Sequence, residues 1–196
     1  MQRMLLLDDE PNVLTALNRA LRLGFGPELR VEATSDPHIA LARLAEVAFD
    51  LVVSDYRMPL MDGLTFLKRV RAAHPGVVRV MLSSSSEIDT VMNAVNDAEV
   101  FRFLAKPWQQ EALIAQVREA LARAASARGE RELADAMRLQ TGQASPGEIE
   151  RRRLEALEPG ITHVEWGASG EVLMPTGLPD VTELDGISAT EFGRLS

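Results

Sequence analysis

The chain of 196 residues is 46% hydrophobic, which is long and apolar enough for one well-packed domain and a smaller appendage. It contains no cysteine, so a disulfide framework, a thiolate metal site and a cysteine nucleophile are excluded. The net charge is −8, and ten acidic against four basic residues from Gln140 onward contribute −6 of it. This distribution argues against binding to nucleic acid, because phosphate contacts need clustered lysine and arginine.

Five apolar runs of strand length alternate with helical patterns over the first 125 residues. The runs cover residues 3–7, 30–34, 50–54, 79–83 and 100–105, and the helical patterns cover residues 13–21, 39–47, 64–70 and 88–95. Ser35 or Asp36 is predicted to cap the second helix, and Pro75-Gly76 to end the third. The alternation predicts an α/β domain with a parallel sheet and helices on both faces.

The first apolar run bears on the location of the protein. Its residues MLLL are followed at once by Asp8, Asp9 and Glu10. Four apolar residues are too few for a signal peptide or a membrane-spanning helix. We therefore expect a cytoplasmic protein with no membrane partner.

The C-terminal third departs from this alternation. An extended helical pattern continues from Leu113 to Met137, residues 141–147 predict a break, and residues 148–157 predict a short helix. The segments ITHVEW and EVLM, separated by GASG, predict a β-hairpin. We therefore divide the chain into a domain at 1–125, a helical extension and linker at 126–147, a helix and hairpin at 148–174, and a loosely ordered tail at 175–196.

Charged and hydroxyl residues follow four of the predicted strands. They are Asp8 and Asp9 after the first strand, Asp55 after the third, Ser83 and Ser84 after the fourth, and Lys106 after the fifth. The carboxyl ends of parallel strands meet at one edge of the sheet, where ligands collect. Three carboxylates brought together there can all ionise only with a cation among them, and oxygen ligands favour Mg²⁺ or Mn²⁺.

Such a site has the parts needed to hold a phosphoryl group. A carboxylate beside a metal ion can attack phosphorus and become an aspartyl phosphate. A lysine ammonium neutralises charge on the transferring group, and a hydroxyl donates a hydrogen bond to one of its oxygens. Asp55, Lys106 and Ser83 supply these groups.

The segments LLLDDEP, DLVVSDYRMPLMDG, VMLSSSSE and FRFLAKPW resemble the signature segments of the receiver domain of two-component response regulators. The resemblance covers residues 1–125. It implies a five-stranded, doubly wound sheet of strand order 2-1-3-4-5. It also implies that Asp55 is the phosphoacceptor and receives the phosphoryl group from a sensor histidine kinase.

The resemblance implies a role for each remaining residue of the site. Asp9 would be a direct ligand of Mg²⁺ (or Mn²⁺), Asp8 would assist through water, and Asp55 and the backbone carbonyl of Arg57 would complete the metal shell. Ser83 would be the switch hydroxyl, Phe103 the aromatic switch, and Lys106 the phosphate-binding cation, joined to Pro107 by a cis peptide bond. Two residues depart from the commoner pattern: Ser84, next to the switch hydroxyl, and Phe103, whose ring lacks the hydroxyl of the commoner tyrosine. Arg57 is also bulky beside the phosphorylation site.

The sequence gives indirect evidence on how the chain passes its signal to other molecules. Receivers with a segment similar to RFLAKPW are often joined to an HD-GYP cyclic-di-GMP phosphodiesterase, but this chain contains no His-Asp dipeptide. A helix-turn-helix output would bring a basic recognition helix, which the sequence also lacks. We therefore expect an output by protein contact through the long helix and the hairpin, with an unidentified downstream protein or in a homodimer.

Two alternative functions remain open at the level of sequence. The chain could be a pseudo-receiver that binds a partner without phosphorylation, although the intact acidic site disfavours this reading. It could also be a small-molecule phosphatase or phosphotransferase acting through Asp55. Haloacid-dehalogenase chemistry, however, needs an aspartate two residues after its nucleophile, and this chain has Arg57 there. We therefore do not expect an enzyme.

Overall fold

The computed structural model describes residues 1–84 and 98–157, together with the backbone of two short strands at 165–166 and 172–173. In chain order the elements are β1 (Gln2–Leu7), α1 (Pro11–Phe25), a short 3-10 helix (Gly26–Glu28), β2 (Leu29–Thr34), α2 (Pro37–Glu46), β3 (Leu51–Asp55), α3 (Gly63–Ala73), β4 (Val78–Ser84), β5 (Arg102–Lys106), α4 (Gln110–Gln140), α5 (Pro146–Leu157), β6 (Glu165–Trp166) and β7 (Val172–Leu173). The helix predicted at 88–95 and the tail predicted at 175–196 lie outside the described residues.

The first five strands form one parallel sheet in the order β2-β1-β3-β4-β5. This confirms the predicted fold class and strand order. Within the described residues, α1 and α4 cover one face of the sheet and α2 and α3 cover the other. The alternation of side chains along β1 shows this division, since Met4 and Leu6 belong to one core cluster and Leu5 and Leu7 to the second.

The local sequence explains where several helices begin and end. Pro11 opens α1, where a missing backbone N–H costs nothing. Asp36 caps α2 by accepting hydrogen bonds from the backbone N–H groups of His38 and Ile39, so the predicted cap is confirmed. The third helix ends at Ala73, just before the predicted Pro75-Gly76 stop.

One buried arginine joins the sheet to the loops at its edge. Arg79 of β4 donates to the carbonyl oxygens of Ala98 at 2.8 Å and Val77 at 2.5 Å. Glu99 lies beside the guanidinium at 3.4 Å and also pairs with Arg71 of α3 at 2.6 Å. Arg79 therefore fixes the turn through which the chain enters β5.

The chain divides into two units, Met1–Thr162 and His163–Ser196. In the second, β6 and β7 pair antiparallel, as the predicted hairpin requires. In the first, α4 and α5 agree with the predicted long and short helices, and the break between them falls within 141–145. The finer domain boundaries remain predictions. Among the described residues, no helix combines the length and the apolar character needed to cross a membrane.

Candidate functional site

Three of the predicted site residues meet at the carboxyl edge of the sheet. Asp8 follows β1 and is fully buried, Asp55 ends β3 and is 5% exposed, and Lys106 ends β5 and is partly buried. Because β1 and β3 are neighbours in the sheet, their ends bring Asp8 and Asp55 side by side. The lysine reaches them from β5, across the end of β4.

The ammonium of Lys106 connects the two buried carboxylates. Its Nζ lies 2.7 Å from Oδ2 of Asp8 and forms an ion pair with Oδ1 of Asp55. Oε1 of Glu10 is also near, at 3.7 Å. Glu10 was not predicted as a site residue, although its place directly after Asp8 and Asp9 was a signal for it.

Backbone groups hold both carboxylates in place. The N–H of Arg57 donates to Oδ2 of Asp55 at 2.6 Å, and the N–H of Glu10 donates to Oδ1 of Asp8 at 3.0 Å. Each aspartate thus accepts a bond from the residue two positions later, an arrangement that short loops after a strand readily form. The backbone thus fixes the orientation of both carboxyl groups.

The charges of the site are unbalanced. Burial raises the pKa of Asp55 and the charge of Asp8 adds to this effect, while Lys106 and the N–H of Arg57 oppose it incompletely. Burial by itself lowers the pKa of Lys106, but its bonds to Asp55 and Asp8 outweigh that effect, so the pKa is raised. The two shifts differ in origin, since burial is the largest cause at Asp55 and the two neighbouring carboxylates raise the pKa of Lys106. The site therefore favours the addition of positive charge.

The residues at this edge suit a divalent cation by their chemistry. Oδ2 of Asp8 is buried and lies 2.7 Å from the Lys106 ammonium, so this carboxylate oxygen already attracts a positive charge. All candidate donors are oxygens, as Mg²⁺ prefers. In this conformation Lys106 lies between Asp8 and Asp55, and the described part of the chain contains no ready-made set of three His, Cys, Asp or Glu ligands.

An open pocket lies beside the loop that follows β3. Its volume is about 490 Å³, and it is lined by Asp9, Tyr56, Arg57, Met58, Pro59 and Asp62. The structure thus places Asp9 and Arg57, two of the predicted metal-shell residues, in one pocket wall. The pocket gives a ligand direct access to the loop that follows Asp55.

The two predicted switch residues occupy β4 and β5. Ser83 is buried, and its hydroxyl donates to the carbonyl oxygen of Ser84 at 3.3 Å. Phe103 is partly buried and packs against the core cluster beneath α2 and α3. The structure shows the Lys106-Pro107 peptide bond in the cis form that the resemblance implied. The switching roles of Ser83 and Phe103 remain predictions.

The Asp-Gly pair of the loop after β3 does more than form a turn. Asp62 caps α3 by accepting from the backbone N–H of Thr65 at 2.9 Å. Gly63 donates to the carbonyl oxygen of Tyr56 at 2.9 Å, and a Cβ atom on it would overlap the backbone oxygen of Asp55. Only glycine therefore allows α3 to start this close to the phosphoacceptor predicted at Asp55.

The parallel sheet of order 2-1-3-4-5, with buried carboxylates and a lysine at its carboxyl edge, defines the flavodoxin-like class of receiver folds. Residues 4–118, more than half of the chain, match the model of the response regulator receiver domain. The chain therefore belongs to that family, whose members act in two-component systems with histidine kinases.

Individual relatives agree with this assignment. The hydrogenase transcriptional regulatory protein HoxA of Cupriavidus necator is 34% identical over 118 residues, which are 60% of this chain and 24% of HoxA. The chain thus spans about a quarter of the length of that relative. The signal receiver domain of an HD domain-containing protein from Pseudomonas fluorescens is 30% identical, with a TM-score of 0.60 over 65% of this chain and 92% of that one. An adenylate cyclase structure from Rhodopirellula baltica is also 30% identical, with a TM-score of 0.62 over 68% and 97% of the two chains.

Proposed function

We propose that this chain is a response regulator that accepts a phosphoryl group on Asp55 from the phosphohistidine of a sensor histidine kinase. The observation that carries the proposal is the convergence of two buried carboxylates, Asp8 and Asp55, on the ammonium of Lys106. Membership of the receiver family supports it. A buried carboxylate with a fixed cation is equipped to attack phosphorus and to hold the product.

In the proposed reaction, a carboxylate oxygen of Asp55 attacks phosphorus while the bond from phosphorus to the histidine nitrogen breaks. The N–H of Arg57 holds Oδ2 of Asp55, and Lys106 neutralises negative charge that the phosphoryl group brings into the site. Ser83 donates to a phosphoryl oxygen. Asp8, Asp9, Asp55 and the backbone carbonyl of Arg57 would hold Mg²⁺ (or Mn²⁺), which supplies further positive charge when bound.

The proposed output is a conformational change that is passed to a protein partner. Ser83 and Phe103 transmit the change from the site, and α4 and the hairpin each provide contacts for a downstream protein or a second copy. The similarity to a receiver from an HD domain-containing protein supports a relation to regulators of the RFLAKPW type. We place the protein in the cytoplasm, where its kinase would phosphorylate it, and assign it no nucleic-acid partner.

We further propose that the chain catalyses only the phosphorylation and dephosphorylation of its own Asp55 and hydrolyses no small-molecule ester. Support comes from Arg57, which stands where an aspartate acid/base would be needed and whose backbone N–H donates to Asp55. A pseudo-receiver, which is not phosphorylated, would not need two buried carboxylates and a lysine in contact. Uptake of a phosphoryl group distinguishes a receiver from a pseudo-receiver, and steady turnover of a small phosphate ester, lost in Asp55→Asn, would reveal an enzyme.

The test is phosphorylation by acetyl phosphate and by a phosphorylated histidine kinase, each with Mg²⁺, followed by intact mass spectrometry. We expect the mass of one phosphoryl group to be added to the parent protein and to Asp36→Asn, a matched control that keeps its helix cap. Asp55→Asn should gain none, and chelation of Mg²⁺ should prevent the gain. Equal uptake by Asp55→Asn, or no uptake by the parent from either donor, would contradict the proposal. Light scattering with beryllofluoride then tests whether mass or partner binding changes.

A further inference from the structure

Helix α4 extends far beyond the core that it covers. Its 31 residues span about 46 Å at 1.5 Å per residue. Its buried residues are Leu113, Val117, Ala120, Leu121 and Ala124, and no residue of the helix after Ala124 is buried. The second half of α4 therefore needs contacts other than core packing if it is to keep a fixed direction.

Two arginines supply such contacts at the amino edge of the sheet, opposite the candidate site. Nη1 of Arg128 lies 3.1 Å from Oδ1 of Asp50, and Oδ2 of the same carboxylate accepts from the backbone N–H of Arg3 at 2.8 Å. Nη2 of Arg131 donates to the carbonyl oxygen of Gly76 at 3.2 Å. Asp50 directly precedes β3 and Gly76 lies just before β4, so the helix is tied to the starts of three strands.

Gly129 lies between these two arginines. Glycine is the weakest helix former after proline, and nothing lies within 4 Å of the position that a Cβ atom would take here. Close packing therefore does not account for a glycine at this point. The least stable position of α4 coincides with the place where the helix leaves the domain and where both contacts act.

We propose that Arg128 and Arg131 form a latch that holds α4 straight across Gly129, and that Gly129 is the hinge about which the rest of the helix swings when the latch opens. Beyond the hinge, Asp135 of α4 contacts α5, since its Oδ1 lies 3.7 Å from Nη1 of Arg152. The same oxygen lies 2.8 Å from Nη1 of Arg138 in its own helix. The latch thus sets the direction in which this helical pair is presented.

The moving part bears exposed apolar side chains. Leu133 is 59% exposed and Met137 is 56% exposed, one helical turn apart on the same side of α4. Their position relative to the domain depends on the latch. Control of the latch is therefore control over where this apolar pair is displayed.

The test is a distance measurement in the whole chain. Since the protein has no cysteine, Ile39→Cys on α2 and Leu133→Cys, both 59% exposed, can be spin-labelled uniquely. Double electron–electron resonance should give a narrow distance distribution in the parent. In Arg128→Ala/Arg131→Ala the distribution should broaden and gain new distances, and Arg123→Ala, an exposed arginine of the same helix, is the matched control that should leave it narrow.

Two glycine substitutions separate the latch from the hinge. Gly76→Ala would bring a Cβ atom within 2.6 Å of Nη2 of Arg131, so it should displace that side chain and broaden the distribution. Gly129→Ala stiffens the helix and should restore a narrow distribution to the double-arginine variant. If the distance distribution stays narrow in Arg128→Ala/Arg131→Ala, the latch is refuted. If Gly129→Ala fails to narrow the broadened distribution of that variant, the hinge is refuted. No phosphorylation is involved, so this result is independent of the proposed function.

Discussion

Gly63→Ala tests how closely the first turn of α3 approaches the phosphoacceptor proposed at Asp55. A Cβ atom at this position would overlap the backbone oxygen of Asp55 and lie 2.9 Å from its carbonyl carbon. Both partners are backbone, so no rotamer change can relieve the overlap, and α3 and the end of β3 must separate by roughly 1 Å. Overpacking of this kind costs about 1–3 kcal/mol, and we expect the upper end because backbone must move.

A decrease of about 3 kcal/mol in the free energy of unfolding should lower the melting temperature by about 6–12 °C. Displacing Asp55 from Lys106 by this amount should also slow phosphoryl uptake from acetyl phosphate by about a hundredfold. Circular dichroism and intact mass spectrometry measure the two effects. Gly147→Ala, in the first turn of α5 with open space around it, should change stability by less than about 0.5 kcal/mol. If Gly63→Ala melted within about 2 °C of the parent and took up phosphate at the parental rate, the steric argument would be wrong.

The charges and the buried arginine give three further predictions. Asp8→Asn should lower the pKa of Asp55, and Lys106→Met should raise it. Carbon-13 titration of the Asp55 carboxyl group measures both changes, and the same pKa in the parent and the variants would refute the charge argument. Since the pKa of Lys106 is raised, its contribution to the free energy of unfolding is complete below the lysine value of 10.5 and is lost as pH rises through the raised value. The stability difference between the parent and Lys106→Met should therefore shrink above that pH, and a constant difference in urea unfolding would argue against this linkage. Arg79→Met should lower the free energy of unfolding by about 3 kcal/mol, because it leaves buried carbonyl oxygens without a donor. The control Arg102→Met loses an exposed ion pair with Glu119 and should lower it by less than about 1 kcal/mol. Similar losses in the two variants would contradict the burial of Arg79.

The sequence was sufficient to predict the sheet and the edge at which the site lies. Apolar runs followed by Asp8, Asp55 and Lys106 mark strands by their composition and strand ends by the change to charge. In a parallel sheet these ends must share one edge, so the convergence of the three residues follows from topology alone. The cap at Asp36 was predictable for a similar reason, because it depends only on residues next to it in the chain.

Features that depend on distances between remote segments were not predictable in this way. Asp-Gly in the loop after β3 is typical of a turn, and only the approach of α3 to Asp55 shows why residue 63 must be glycine. The burial of Arg79 against two loops has no local signature, since arginine in a strand usually points to solvent. The contacts of Arg128 with Asp50 likewise join residues far apart in sequence, in a stretch where helical periodicity alone predicts an independent linker.

The charge balance of the site links its resting state to the proposed reaction. Lys106 is shared by two buried carboxylates, and burial raises the pKa of Asp55 although the ammonium lies beside it. A phosphoryl group brings further negative charge, so it can enter only if positive charge enters with it or if the ammonium is redistributed. If Lys106 turns from Asp8 towards the phosphoryl oxygens, Oδ2 of Asp8 loses the ammonium that now lies 2.7 Å away and needs another cation. The arrangement of the resting site thus makes uptake of a divalent ion and movement of Lys106 parts of the same electrostatic exchange.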